Sequence, residues 1–211
     1  MLALDHIVIG NHHIERASKQ FSENFSVKSI KGGKHPNWGT YNHLAYLEND
    51  CYIEWLGIYD EKVAAKSDNP LIIHLQYVLA NDTVGPFQFA LRTNHLDSFV
   101  EHFKQKDISF LGPVKGRRTT PDGEELKWRM LFPTYDVKET MLPFLIEWEQ
   151  STPYNPVNDK QIKVVNYSGL DTEEFCHIYQ MNQTDSSNNV ILENCQLNFI
   201  KDNENFLDFS F

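Results

Sequence analysis

From Leu2 to Gly10 the chain runs almost entirely apolar, is rich in β-branched residues and stops at a glycine, which predicts a largely buried strand. In the following NHHIERASKQFSENF, the residues Ile14, Ala17, Phe21 and Phe25 recur at steps of three and four, giving one apolar helical face. The segment VKSIKGGKHPNWGTYNHLAYLENDCYIEWLGIYD then reads as three strands: a glycine-broken one near residues 27–31, one near 42–48 and one near 51–59. The triplet Glu48-Asn49-Asp50 supplies a hairpin turn. The predicted order is βαβββ.

The same pattern then restarts. Laid without a gap over residues 4–21, residues 86–103 match strand to strand and helix to helix, with Phe103 falling on Phe21. Leu96, Phe99, Val100 and Phe103 form the second apolar helical face, and ISFLGPVKG, EELKWRMLFPTYD and MLPFLIEWEQ supply three further strands. The last of these repeats, around Glu147, the Ile-Glu-Trp triplet that surrounds Glu54. Two copies of one module predict an α+β fold built by duplication. The chain divides into a first βαβββ module over residues 1–60, a connector over 61–83, a second module over 84–150 and a partial βαββ extension over 151–211. The connector holds an apolar stretch, either helical or irregular. The extension follows the proline- and polar-rich EQSTPYNPVND and opens with a strand. A threonine-capped helix comes next, with Phe175, Ile178 and Tyr179 inward, and then two or three short strands. Its expected role is to cover a sheet edge.

Composition works by exclusion. The formal net charge is −10, and no basic cluster exceeds short pairs such as Arg117-Arg118, so the electrostatic footprint of nucleic acid or anionic membrane binding is missing. Cys51, Cys176 and Cys195 are scattered without metal-ligand spacing and fit reduced thiols in a cytoplasm. The opening MLALDHIVIG reads as a strand and not as a signal peptide, so a cytoplasmic protein is expected.

Alternation along strands selects the candidate chemistry. Leu2, Leu4, His6 and Val8 would share one face, and Tyr52, Glu54 and Leu56 would share a face opposite Ile53 and Trp55. The ungapped overlay places Gln88 on His6, and the repeated triplet places Glu147 on Glu54. An unpartnered buried carboxylate costs several kcal/mol or takes up a proton, so two of them in matching places call for a shared compensation. One solution is a divalent metal ion held by His6, Glu54, Gln88 and Glu147, an N/O donor set suited to zinc, nickel, cobalt, manganese or iron with a position left open. The other is that the glutamates hydrogen-bond or ion-pair inside a metal-free cavity. The loop GGKHPNWGTYN offers His35, Trp38 and Asn42 as substrate-binding residues at the cavity mouth. Its counterpart in the second module offers Arg117, Arg118 and Arg129, whose guanidinium forks suit a carboxylate or phosphate. His74 and the other scattered histidines are expected to be solvated or packing residues. No nucleophile motif and no phosphate-binding glycine loop is present.

The duplicated module, with LDHIVIG opening the first half and a Glu-bearing final strand in each half, resembles the vicinal oxygen chelate superfamily and in particular its glyoxalase-like branch. The stretches GGKHPNWGTYNHL and YIEWLG are similar to glyoxalase-like domain proteins. The resemblance covers residues 1–150 and implies paired half-barrel sheets closing around a metal held by the first and fourth strands of each module. That metal site lands on His6, Glu54, Gln88 and Glu147, the ligand types of glyoxalase I. The resemblance further implies a metal-dependent enzyme of lyase or isomerase type that chelates a small oxygenated substrate, with Glu54 or Glu147 shuttling a proton. Its second implication is a metal-free small-molecule binding protein of the drug-resistance kind, with an aromatic cavity formed by residues such as Trp38, Trp55, Trp128 and Trp148, of which Trp55 and Trp148 are expected to face away from the glutamates into the sheet–helix core. Modules can pair within one chain or across a homodimer, and the sequence permits both.

Overall fold

The structure is a computed structural model that describes residues 1–119, 123–149, 157–182, 188–201 and 206–211. Its first unit is β1 (Ala3–Gly10), α1 (Ile14–Phe25), β2 (Ile30–His35), β3 (Thr40–Tyr46) and β4 (Tyr52–Ile58). Two helices connect it to the next unit, α2 (Glu61–Ala64) and α3 (Pro70–Ala80). The second unit repeats the order with β5 (Gly85–Arg92), α4 (Leu96–Gln105), β6 (Phe110–Thr119), β7 (Glu125–Pro133) and β8 (Phe144–Trp148). The chain ends in β9 (Val164–Ser168), α5 (Thr172–Tyr179), β10 (Asn189–Ile191), β11 (Gln196–Phe199) and β12 (Phe206–Ser210). This is the α+β architecture of the vicinal oxygen chelate fold, two βαβββ units with a further unit behind them. The proline- and polar-rich connector predicted before β9 falls mainly on residues 150–156, outside the described residues.

The first two units form one eight-stranded sheet in the order β2-β3-β4-β1-β5-β8-β7-β6. β1 pairs antiparallel with β5, so the two modules meet within one chain, and the edge strands β2 and β6 come into contact as the sheet curls. Its outer face carries α1, α4 and the C-terminal unit. Ile7, Ile53, Trp55, Phe89 and Leu145 pack there with Phe99, Phe103, Tyr167, Phe175 and Leu197 in a single core. The C-terminal unit has its own sheet, β10-β11-β9-β12, in which β11 lies parallel to β9 just as β4 lies parallel to β1. It covers the outer face of the large sheet and not an edge, because its apolar residues join the core beneath α1 and α4. Its helix is capped by Asp171, whose side chain accepts from the Glu174 amide, one residue before the predicted threonine.

The inner face is covered by α3. Leu71, Ile72, Leu75, Val78 and Leu79 are buried there against Val8, Leu56, Phe87, Phe132 and Phe144. At roughly 1.5–3 kcal/mol per buried side chain, this packing outweighs the modest helix propensities of Ile, Val and Tyr. A helix apolar on nearly every side shows little periodicity, which is why the connector could not be typed from the pattern. A start signal was nonetheless present, because Asn69 caps the helix by accepting from the Leu71 amide at 3.0 Å and Pro70 occupies the first turn.

His74, on α3, is neither solvated nor a simple packing residue. Gln88 Nε2 donates to Tyr135 Oη at 2.8 Å, and that hydroxyl lies 3.1 Å from His74 Nδ1, forming a buried polar chain from β5 to α3. Burial pushes His74 down to about 4 and the Tyr135 phenol up, so both are neutral at pH 7. The unfolded chain binds a proton at His74 below its ordinary value of 6.5, whereas the folded chain does so only near 4. Stability is therefore complete above about pH 6.5 and falls as the pH drops toward 4. His74→Gln should remove on the order of 2 kcal/mol of the loss between pH 7 and about pH 4.5, measured by urea unfolding at the two pH values.

A second expectation concerns the turn between β2 and β3. Gly39 has φ +68°, and an added Cβ would sit 2.4 Å from the Asp60 carbonyl oxygen. Gly39→Ala should cost about 1–3 kcal/mol in chemical denaturation, through left-handed strain and this clash together.

Candidate active site

The site begins with an irregularity in β1. Leu4 pairs with Leu91 and His6 with Ala90, leaving Asp5 as the extra residue of a β-bulge. Leu4 and Ile7 join the outer core, while His6 lines an inner cavity. Leu2 and Leu4 therefore do not share a face with His6 and Val8 as strict alternation would require, because the bulge reverses the phase between them. It also lets two consecutive polar side chains work together. Asp5 Oδ1 accepts from His6 Nδ1 at 2.6 Å, its Oδ2 accepts from Trp148 Nε1 at 3.0 Å, and Arg92 Nη1 lies 3.7 Å from Oδ2. Asp5 is 0% exposed, a position that would cost several kcal/mol without these partners. With the Asp5 carboxylate at Nδ1, His6 turns Nε2 into the cavity toward Glu54. The ring is clamped by Tyr52, stacked at 4.5 Å, and by Phe144, edge-on at 5.5 Å.

β4 alternates regularly and sends Tyr52, Glu54 and Leu56 inward and Ile53 and Trp55 outward. Glu54 Oε2 lies 3.5 Å from His6 Nε2, and Oε1 accepts from Asn42 Nδ2 at 2.6 Å. Asn42 is itself fixed by accepting from the Gly33 amide at 2.8 Å. Across the cavity β6 delivers Arg118, which is buried and donates from Nη2 to Tyr46 Oη at 2.9 Å. Burial pushes the Tyr46 phenol up, so this partner of the guanidinium is neutral. Burial likewise pushes His35 down, leaving a neutral imidazole 3.0 Å through Nδ1 from Thr40 Oγ1.

The space among these groups is about 40 Å³, room for a head group of a few heavy atoms, with Trp38, Trp128 and Trp148 among its walls. His35 and Trp38 also line a vestibule of about 620 Å³ beside it, where Lys115, Arg117 and Lys127 stand.

Of the four metal-ligand candidates, the structure brings His6 and Glu54 together and leaves Gln88 and Glu147 apart. In parallel register Glu54 lies opposite Val8. The residue of β5 that overlays Val8 is Ala90, and its partner in β8 is Phe144. Phe144 thus occupies the place equivalent to Glu54. Glu147 is three residues further on, an odd step that turns it to the opposite face. There it accepts from the Leu96 amide at the start of α4 at 3.2 Å and pairs with Arg129, which also binds Asp97. Trp148 in consequence faces the cavity and not the outer core. Gln88 lies under α3, where Oε1 accepts from the Phe89 amide and Nε2 donates to Tyr135 and to the Leu142 carbonyl.

A resident metal therefore finds a poor fit. An open catalytic site takes three protein ligands, and among the described residues no three His, Cys, Asp or Glu side chains are grouped to hold an ion. Of the substrate-binding candidates, His35, Trp38 and Asn42 line the cavity, whereas Arg117 stands in the vestibule near Glu125 and Arg129 lies on the outer face. Arg118 is the arginine that points inside. Asp5, Tyr46, Tyr52 and the α3 residues Leu71 and Ile72 complete the site without having been singled out. One signal was available, since the adjacent pair Asp5-His6 interrupts an apolar strand in a way that regular alternation cannot place on one side.

The glyoxalase-like domain family matches this chain over residues 4–181. No curated protein matches it. Among solved structures, a hypothetical protein from Staphylococcus aureus is similar at 22% identity over 97% of this chain and 88% of that one, with a TM-score of 0.77. A methylmalonyl-CoA epimerase from Streptomyces coelicolor, bound to 2-nitronate-propionyl-CoA, is similar at 16% identity over 72% of this chain and 99% of its own, with a TM-score of 0.53. At such identities these likenesses speak for the fold. Matched over most of its length by the family model, the chain belongs to the glyoxalase-like domain family.

Proposed function

We propose that the cavity is an acid–base site that moves a proton at a carbon beside a carbonyl or carboxylate of a small anionic molecule, with no resident metal. The observation that carries this reading is the line Asp5, His6, Glu54, which shares one cavity with a buried Arg118. Arg118 would take the carboxylate or carbonyl oxygen, supplying a fixed positive charge where negative charge develops as the proton leaves. His6 Nε2 would take the proton, its ring held in orientation by Asp5 Oδ1. Glu54, held by Asn42 on the far side of Nε2, is placed to relay or return it. Proton transfer by a positioned side chain contributes about 10²–10⁴-fold, and its two members here sit 3.5 Å apart. The Streptomyces coelicolor protein of the same fold is by name an epimerase, which supports an isomerase-type reading within the broader lyase or isomerase class.

A second reading, binding without turnover, draws on the tryptophan-rich wall formed by Trp38, Trp128 and Trp148. One experiment separates it, and the metal-dependent reading, from the first. Chelator-treated protein is incubated in D₂O with a panel of small 2-oxo, 2-hydroxy and dicarboxylic acids, and loss of the proton beside the carbonyl is followed by NMR. Exchange should persist after chelation and fall about 10²-fold or more in His6→Gln. In Arg118→Met the substrate concentration needed should rise more than the limiting rate falls. Exchange abolished by chelation and restored by a divalent metal would sink the metal-free reading. Saturable binding with no exchange in the wild type would leave only the binding protein.

A further inference from the structure

The bulge that creates the Asp5–His6 pair has an unusual neighbour. β4 begins at Tyr52, opposite His6, so no residue of β4 reaches back to Leu4. The gap is filled from the C-terminal unit, by the turn between β10 and β11. Asn194 Oδ1 accepts from the Leu4 amide at 2.8 Å, and Asn194 Nδ2 donates to the Leu4 carbonyl at 2.9 Å. One side-chain amide thus makes both bonds that a paired strand residue would make. It is locked in turn, because Nδ2 also donates to the Asn49 carbonyl at 2.9 Å and Asn49 Nδ2 donates back to the Asn194 carbonyl at 3.0 Å. Beside it the Glu193 amide donates to the Leu2 carbonyl at 2.9 Å.

We infer that Asn194 is a positioning residue for the candidate site: by standing in for the missing β4 residue at Leu4, it pins the register in which Asp5 is the bulged residue and its carboxylate meets His6 Nδ1. Moving the bulge off Asp5 would restore alternation there and send Asp5 and His6 to opposite faces. Before the bulge, β5 is the one neighbouring strand that holds β1 in place, and Asn194 supplies the other side. The C-terminal unit then does more than shield the outer face, for it sets the geometry of a histidine nearly 190 residues earlier in the chain, with Leu4 and Asn194 separated by 190 positions. This rests on the reading of Asp5 and His6 as the working pair, but its test reads geometry and needs no activity.

The probe is the imidazole Nδ1 proton of His6, assigned in NMR spectra by its loss in His6→Gln. In the wild type it should appear far downfield and exchange slowly with solvent. In Asn194→Ala it should exchange about tenfold faster or vanish, as the loss of a buried hydrogen-bonded brace implies, while amides of β9 and β11 keep their protection. Asn158→Ala serves as the control for loosened docking. Asn158 binds the Lys28 amide and the Lys28 and Tyr46 carbonyls, far from Leu4 in sequence and outside the bulge, so the His6 proton should be unchanged in that variant. Should Asn194→Ala not fold, Asn194→Asp, which keeps the acceptor for the Leu4 amide and loses the donor to its carbonyl, should give an intermediate acceleration. An unaltered His6 proton in the folded Asn194 variant, or an equal change in Asn158→Ala, overturns the inference. Failure of the D₂O exchange assay with this proton still dependent on Asn194 would overturn the proposed chemistry and leave the positioning intact.

Discussion

The bond between the Asp5 carboxylate and His6 Nδ1 is the constraint on which the rest of the site depends. It exists because β1 breaks alternation at one residue, and the break survives because each group it exposes has a partner. Trp148 and Arg92 answer the second carboxylate oxygen, and Asn194 answers the backbone of Leu4. Removing any one of these leaves a buried polar group unsatisfied, which costs more than the net value of the bond itself. A regular strand in the same place would be easier to build, yet it could not present a carboxylate and an imidazole side by side on one face.

The two halves of the large sheet share a topology and not a site. In the first half the positions aimed inward are His6 and Glu54. In the second, the equivalent positions hold Gln88 and Phe144, and α3 lies over them. Gln88 satisfies its amide within the protein, and Phe144 forms part of the wall against which His6 rests. The second half thus contributes walls, the orienting Trp148 and the single charge of Arg118, while the first contributes the groups that can carry a proton.

The duplication, the helical faces and the inward side of β4 were legible because each rests on a period that side-chain burial enforces over several residues. The ligand set was not, and the reason is specific. The Ile-Glu-Trp triplet is a genuine repeat in sequence, but strand pairing places Phe144 where Glu54 stands, so the second copy of the triplet is out of phase by three residues. A match of letters carries no register; hydrogen-bonded pairing does. The same limit hid α3, whose uniform hydrophobicity erased its period, and it hid Arg118 among three arginines whose directions alternate along β6 and β7. The brace from Asn194 to Leu4 could not have been read at all, since no local pattern links residues 190 positions apart.

The formal net charge of −10 is no obstacle to the anionic ligand proposed for the cavity. Distance is the reason. Exposed charges more than about 8–10 Å away are largely screened at physiological ionic strength, whereas Arg118 is buried and acts at close range in a medium of lower effective dielectric. Most acidic residues lie on the surface, and the carboxylates nearest the cavity are already engaged, Glu54 by Asn42 and Asp5 by His6, Trp148 and Arg92. The vestibule adds Lys115, Arg117 and Lys127 against Glu149. The field that an entering molecule meets is therefore set by the few near charges, Arg118 and the vestibule cations together with Glu54, and hardly by the distant acidic exterior.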